Sequence, residues 1–141
     1  MTGPKKLRPM RVLVCGGRET TLKKMGIDPG AVHCLVVKTL NQLSACGRRE
    51  TTVIHGGAKG VDSMADNWCF STRTPKLVFP ISKEEWEAKG GIAGPLRNTQ
   101  MLQDGKPDVC LAFPGGPGTA DMVAKCRAAG VRVVEVPLNA G

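Results

Sequence analysis

Three apolar runs in this chain each end in a glycine-rich turn, and this repeated arrangement constrains the fold more than any other feature. The runs and turns are residues 12–15 before 16–18, residues 52–55 before 56–60, and residues 109–113 before 114–119. Short apolar runs are typical of strands that are buried on both faces of a parallel sheet. Glycine permits tight turns and close approach of the backbone to a ligand. Since parallel sheets bind ligands at the carboxyl ends of their strands, the pattern predicts one crevice there.

Strand and helix patterns alternate along the rest of the chain. Strands are predicted at residues 11–15, 51–55, 77–79, 109–113 and 131–136, and helices at 29–46, 61–70, 83–88, 95–103 and 119–129. Asp28-Pro29 is a typical helix start, and Gly47 is the predicted stop of that helix. Residues 19–27 are expected to be irregular and residues 89–94 to form a loop. The alternation predicts an α/β domain over residues 10–141, with a mostly parallel sheet of about five strands and helices on both faces.

Composition narrows the class of partner. The net charge of +8 favours an anionic ligand, although part of it comes from Lys5, Lys6, Arg8 and Arg11 near the N-terminus, where residues 1–9 are interpreted as a solvated basic tail. Aromatic residues make up only 4% and Tyr is absent, which argues against stacking platforms for single-stranded nucleic acid.

Cysteine usage and hydropathy predict a cytoplasmic protein. The six cysteines contain no C-x-x-C pair and are expected to be reduced and buried; they are Cys15, Cys34, Cys46, Cys69, Cys110 and Cys126. No apolar segment has the length of a membrane span or the character of a signal peptide, so no membrane partner is expected. His33 and His55 are far apart in sequence and lack clustered acids. No metal site, and no cofactor, is therefore predicted.

Four motifs together resemble the YspA/YpsA-related branch of the SLOG superfamily. They are Val-Leu-Val-Cys-Gly-Gly-Arg at residues 12–18, Val-Ile-His-Gly-Gly-Ala-Lys-Gly-Val-Asp at 53–62, Gly-Pro-Leu-Arg-Asn at 94–98, and Ala-Phe-Pro-Gly-Gly-Pro-Gly-Thr-Ala-Asp-Met at 112–122. Their order is that of the family, and the likeness extends over about residues 11–136. The resemblance implies a Rossmann-like fold, a nucleotide or nucleotide-derived ligand, and a homodimer. The superfamily also includes the lonely-guy phosphoribohydrolases and the DNA-processing protein DprA.

The resemblance and the residue chemistry together give a candidate binding set. Residues 114–119 match the superfamily's phosphate-binding motif, whose backbone N–H groups and Thr119 hydroxyl would hold phosphate at a helix N-terminus. Arg97 offers a planar fork for phosphate or carboxylate, and Asn98 a contact to a ribose hydroxyl or base edge. Asp62 is interpreted either as an acceptor for a ligand hydroxyl or as an acid interacting with a helix dipole. The full set is Gly16, Gly17, Arg18, Gly56, Gly57, Ala58, Lys59, Asp62, Arg97, Asn98, Pro114, Gly115, Gly116, Gly118, Thr119 and Asp121.

One departure from the family pattern bears on catalysis. The lonely-guy enzymes carry P-G-G-x-G-T-x-x-E, and here the glutamate position is Met122, which cannot transfer a proton. Asp121 is only a weak catalytic candidate, because it lies one residue before the glutamate position, and one residue along a helix turns the side-chain direction by about 100°.

Three functions stay open at this point. The first is a sensor, sequestering or carrier domain that binds a nucleotide; the second is a nucleoside monophosphate phosphoribohydrolase; the third is a DprA-like DNA-binding protein.

Overall fold

The chain folds around one five-stranded sheet in which every adjacent pair of strands is parallel. The computed structural model describes residues 8–44 and 49–138. The strands are β1 (Met10–Cys15), β2 (Thr51–His55), β3 (Lys76–Val78), β4 (Val109–Ala112) and β5 (Arg132–Glu135). The helices are α1 (Glu19–Lys24), α2 (Pro29–Leu43), α3 (Val61–Thr72), α4 (Lys83–Lys89), α5 (Ala93–Gly105) and α6 (Pro117–Ala128). The strand order β3-β2-β1-β4-β5 confirms the predicted fold class.

The sheet is covered on both faces, and β1 contributes to both cores. Alternate residues of a strand point to opposite faces. Val12 and Val14 therefore lie in one cluster with buried side chains of α1, α2 and α3, whereas Leu13 lies in the other with buried side chains of α5 and α6. All three residues are fully buried. The nearly continuous apolar sequence of β1 thus reflects a central strand with helices on each side.

The first helix was not expected from the sequence. Residues 19–27 were predicted to be irregular, but they contain α1. Two threonines make this segment a weak helix former by itself. Leu22 is fully buried in the core, and Glu19 pairs with Lys23 at 3.1 Å. Tertiary burial of one leucine therefore decides the conformation, which local propensity does not reveal.

Several other boundaries differ from the prediction. Helix α2 begins at Pro29 as predicted, and the Asp28 side chain accepts the Gly30 N–H at 3.3 Å. The helix ends at Leu43, before the predicted end at Cys46. Cys46 and the predicted stop, Gly47, lie outside the described residues. The predicted loop at residues 89–94 is instead a 3₁₀ turn, Gly90–Ile92, followed by the start of α5. Helix α6 begins at Pro117, two residues before the predicted start at Thr119, because proline suits the first helical position.

The predicted burial of the cysteines holds for most of those described. Cys15, Cys69, Cys110 and Cys126 are buried, whereas Cys34 is exposed on α2, contrary to the prediction. Cys46 lies outside the described part of the chain. No helix within residues 8–44 and 49–138 combines the length and apolar character needed to cross a bilayer.

Gly60 joins the turn after β1 to the start of α3. The N–H of Val61 donates to the Gly17 carbonyl at 3.1 Å, and the N–H of Glu19 donates to the Lys59 carbonyl at 3.0 Å. Gly60 has a φ of +141°, and a Cβ there would meet the Gly17 carbonyl oxygen and lie 2.7 Å from the Arg18 Cα. Because these neighbours are backbone atoms, they cannot move aside cheaply. Only glycine fits this position.

A buried histidine fixes the end of β2. His55 Nδ1 accepts the Gly57 N–H at 3.0 Å, so the ring proton lies on Nε2, which donates to Asp66 at 2.9 Å. Asp66, on α3, also accepts from Lys76 of β3 at 2.6 Å. The hydrogen bond from Lys76 lowers the pKa of Asp66, with His55 adding to the effect against partial burial. This network joins β2, α3 and β3 and orients the glycine turn that follows β2.

We expect Gly60→Ala to reduce the free energy of unfolding by roughly 2–3 kcal/mol, through backbone strain at a positive φ. The measurement is equilibrium unfolding in urea. The matched control is Gly91→Ala, because a Cβ at Gly91 meets no atom within 4 Å. An equal loss of stability in both variants would contradict the role given to Gly60.

Asp66→Asn should lower the melting temperature at neutral pH. The pKa of Asp66 in the folded protein lies below the ordinary value of 3.8. The Asp66 carboxylate therefore stabilises the fold at pH values above 3.8, and this stabilisation is lost as the pH falls through the pKa of the folded state. The difference in melting temperature between wild type and variant should therefore shrink as the pH falls below about 3.8. Melting curves across this pH range provide the measurement, with Glu87→Gln on the exposed surface of α4 as a control that keeps the wild-type melting temperature. A pH-independent difference would show that Asp66 acts by packing alone.

Candidate functional site

The crevice lies where the strand order reverses, between β1 and β4. The turns after these strands touch directly, since the Gly17 N–H donates to the Pro114 carbonyl at 2.8 Å. A Cβ on Gly115 would lie 2.7 Å from the Gly17 nitrogen and would also overlap the Thr119 hydroxyl. Gly115 is therefore needed for the two turns to pack this closely. Open parallel sheets bind ligands at such a reversal point, outside the carboxyl ends of the strands.

The start of α6 has backbone donors that the fold leaves unused. Helix α6 has Gly116 at its N-cap, and its first hydrogen bond runs from the Ala120 N–H to the Gly116 carbonyl at 3.1 Å. Within residues 8–44 and 49–138, no atom accepts a hydrogen bond from the N–H of Gly116, Gly118 or Thr119. All three residues line a small cavity of about 140 Å³ at the switch point. Free N–H groups at the positive end of a helix dipole are suited to an anion.

The turn after β2 is different, because three of its N–H groups are already hydrogen-bonded within the protein. The Gly57 N–H donates to His55, and the Ala58 N–H donates to Asp62 at 3.1 Å. The Gly60 N–H donates to the Ser63 hydroxyl at 3.0 Å. Three glycine turns that look equivalent in sequence are therefore unequal in structure. The turn before α6 leaves the N–H groups of Gly116, Gly118 and Thr119 free, whereas the N–H groups of Gly57, Ala58 and Gly60 in the turn before α3 are bonded within the protein.

Arg97 reaches across the crevice from α5 to the turn after β2. Its Nη1 donates to the carbonyl of Gly56 at 2.8 Å and more weakly to that of Phe79 at 3.4 Å. A Cβ on Gly56 would overlap the guanidinium, so Gly56 is needed for this contact. Burial lowers the pKa of Arg97, the Asp62 carboxylate opposes this, and Arg18 lowers the pKa further. Arg97 is thus a partly buried cation bonded to neutral carbonyl groups and to the side chain of Asn98.

Asn98 holds the first turn of α6 in place. Its side-chain N–H₂ donates to the Gly118 carbonyl at 3.2 Å and to Asp121 at 3.0 Å, while its oxygen accepts from Arg97 Nε at 3.3 Å. The side chain is 5% exposed. Its amide therefore connects the arginine in the crevice to the helix start that bears the free N–H groups. The predicted contact of Asn98 with a ligand stays a prediction.

Asp62 is a buried acid in the wall of the small cavity. Burial raises the pKa of its carboxyl group, and this effect outweighs the opposing influence of the Ala58 N–H and of nearby charges. Asp62 lines the same cavity as Arg97 and Thr119. It therefore supplies a hydrogen-bond acceptor opposite the donors of α6.

The two residues that decide the catalytic question have different environments. Met122 is 1% exposed and lies in the core cluster on the α5 and α6 side of the sheet. Partial burial raises the pKa of Asp121, but ion pairing with Lys125 and the hydrogen bond from Asn98 outweigh it, so the net shift is downward. Asp121 is therefore ionised at neutral pH and lacks the proton that a general acid must donate.

A larger cavity of about 540 Å³ adjoins the small one and shares Arg18, Ala58 and Arg97 with it. Its wall also includes Lys59 and Trp86. The Arg18 guanidinium lies 5.6 Å from the centroid of the Trp86 ring, a cation–π contact between the turn after β1 and helix α4.

The structure brings most of the predicted binding set to these two cavities. The small cavity is lined by Gly16, Gly17, Arg18, Ala58, Asp62, Arg97, Asn98, Gly116, Gly118 and Thr119, and the larger one also by Gly56, Gly57 and Lys59. Pro114 and Gly115 form the back of the α6 turn and line a neighbouring groove, while Asp121 pairs with Lys125. Sequence reasoning missed Thr21 and Met101 in the small cavity, because only the tertiary fold brings them there.

Comparisons with known proteins agree with this architecture. Gene 61 protein of Mycobacterium phage D29 is 42% identical over 86 residues, which cover 58% of this chain and 68% of that protein. The X-ray structure of the structural genomics target TM1055 superposes with a TM-score of 0.67 at 17% identity, over 88% of this chain and 72% of that chain. UDP-N-acetylglucosamine 2-epimerase superposes with a TM-score of 0.56 at 18% identity, over 92% of this chain but only 32% of that chain. At these identities the two structures show a shared Rossmann-like fold alone.

The family itself follows from a direct match of the sequence. The model of the YspA, cpYpsA-related SLOG family matches residues 10–86, more than half of the chain and two of its three glycine turns. With the phage relative, this match shows that the chain belongs to the YspA, cpYpsA-related SLOG family.

Proposed function

We propose that this protein binds a nucleotide or a nucleotide-derived molecule, with a phosphate group at the start of α6. The observation behind the proposal is the set of unused N–H groups of Gly116, Gly118 and Thr119 beside a strand-order reversal. A phosphate oxygen accepts such hydrogen bonds and interacts favourably with the helix dipole. Membership of the SLOG family supports a nucleotide-related ligand.

The surrounding side chains support the same placement. Arg97 and Arg18 line the cavity and supply positive charge. Asp62 supplies an acceptor, which suits a sugar hydroxyl and not a second phosphate oxygen. The contact between Gly17 and Pro114 holds the phosphate turn before any ligand arrives, and a preformed site loses less entropy on binding. A ribonucleotide would use both kinds of group.

The role we propose is that of a sensor, sequestering or carrier domain. The position of the lonely-guy glutamate is occupied by the buried Met122, and the neighbouring Asp121 is held in its ionised form by Lys125. This arrangement gives no proton donor at that point of the crevice. Family resemblance further supports a homodimer, and the cysteine usage supports a cytoplasmic location.

Thr119→Val should weaken the binding of nucleoside monophosphates by at least about tenfold, because a hydrogen bond to a charged group contributes about 1.5–3 kcal/mol. Valine has the shape of threonine without its hydroxyl, so the loop keeps its packing. Calorimetric titration with AMP and GMP measures the change. The control is Thr21→Val, a change in the wall of the same cavity that should leave affinity within about threefold. Similar losses in both variants, or DNA binding that matches nucleotide binding, would argue against this phosphate site.

Wild-type protein incubated with a nucleoside monophosphate should release no free base above the uncatalysed rate. The physical reason is the absence of a protonated acid at residues 121 and 122. Chromatography of long incubations measures the base, and Asp121→Asn serves as the comparison. Base release that disappears in Asp121→Asn would establish the phosphoribohydrolase and refute the binding-only role.

A further inference from the structure

The larger cavity beside the phosphate site has a cationic wall, and we call it the cationic cavity. Arg18, Lys23, Lys59 and Arg97 line it, together with one acid, Glu19. Its volume of about 540 Å³ is within the range of small-molecule sites. Because it shares Arg18 and Arg97 with the small cavity, a ligand with its phosphate on α6 extends directly into it.

Most of the positive charge in this cavity has no acidic partner. Glu19 pairs with Lys23 at 3.1 Å. Among the residues that the structure describes, no Asp or Glu lies within ion-pair distance of Arg18, Lys59 or Arg97. Like charges that share one cavity repel each other, and this repulsion is relieved when an anion binds between them.

Arg97 and Arg18 are held toward the cavity by uncharged groups. Arg97 donates to the carbonyl oxygens of Gly56 and Phe79, and Arg18 packs over the ring of Trp86 at 5.6 Å. These contacts fix the position of each guanidinium without neutralising its charge; the buried Asp62 carboxylate acts on Arg97 but forms no ion pair with it. Trp86 is 40% exposed, so part of its surface is accessible.

We propose that the cationic cavity binds a second anionic group of the ligand, so that the preferred ligand is a nucleotide with two phosphate groups and not a nucleoside monophosphate. This inference rests on the proposed function, because it takes the first phosphate to lie at the start of α6. The second phosphate lies among Arg18, Lys59 and Arg97. Glu19 does not oppose it strongly, since its charge is already paired with Lys23.

The test compares AMP with ADP and with adenosine 3′,5′-bisphosphate by calorimetric titration, and repeats the series with the guanosine compounds. We expect at least one compound with two phosphates to bind at least about tenfold more tightly than its monophosphate. Lys59→Met should reduce this gain at least about threefold and should weaken compounds with two phosphates more than the monophosphate, because Lys59 lines only the cationic cavity of the two. The double variant Arg18→Met/Lys59→Met should abolish most of the gain.

Lys24→Met is the matched control, because Lys24 lies beside Lys23 on α1 and is exposed but does not line the cavity. It should keep the gain from the second phosphate. The inference is overturned if no compound with two phosphates exceeds its monophosphate, or if Lys59→Met keeps the full gain. In either case, monophosphate binding that is lost in Thr119→Val would leave the proposed function standing. If no nucleotide binds to the wild type, the proposed function itself fails.

Discussion

The peptide groups of Gly17 hold the crevice together. The Gly17 N–H donates to the Pro114 carbonyl, and the Gly17 carbonyl accepts the N–H of Val61 at the start of α3. One residue thus connects the turns that follow β1, β2 and β4. These contacts require close backbone approach, which explains why Gly60 and Gly115 face backbone or side-chain atoms that a Cβ would overlap. Gly60 and Gly115 allow three turns to pack against one another, and the free N–H groups of α6 are those that a helix N-terminus leaves without an intrahelical partner.

Charge in the crevice follows from the same packing. Three N–H groups of the β2 turn are bonded to His55, Asp62 and Ser63, and the Gly56 carbonyl of the same turn accepts a hydrogen bond from Arg97. A carbonyl fixes a guanidinium in position without neutralising it. Arg18 and Arg97 therefore bring positive charge to the switch point, where Asp62 is also buried. The local arrangement of charge, and not the total of +8, accounts for the expected preference for anions.

Much of this organisation could be predicted from the sequence, and the failures have physical causes. The five strands, their parallel arrangement and a crevice formed by glycine turns follow from apolar runs and turn chemistry, which are local signals. Helix α1 and the start of α5 were missed, because they depend on the burial of Leu22 and Ala93 in the tertiary structure. The inequality of the glycine turns was also hidden. Which N–H groups stay free depends on His55 and Ser63, whose hydrogen bonds no spacing rule predicts.

The difference between a binding domain and a hydrolase depends here on which carboxyl group can hold a proton. Asp121 cannot, because Lys125 and Asn98 stabilise its ionised form. Asp62 is the acid in the cavity wall whose pKa is raised by burial, but its oxygen is bound to the Ala58 N–H and thereby shapes the β2 turn. Protonating the oxygen that accepts the Ala58 N–H would weaken that hydrogen bond, so proton transfer at this oxygen would disturb the turn. This constraint supports the binding role proposed above over that of a hydrolase.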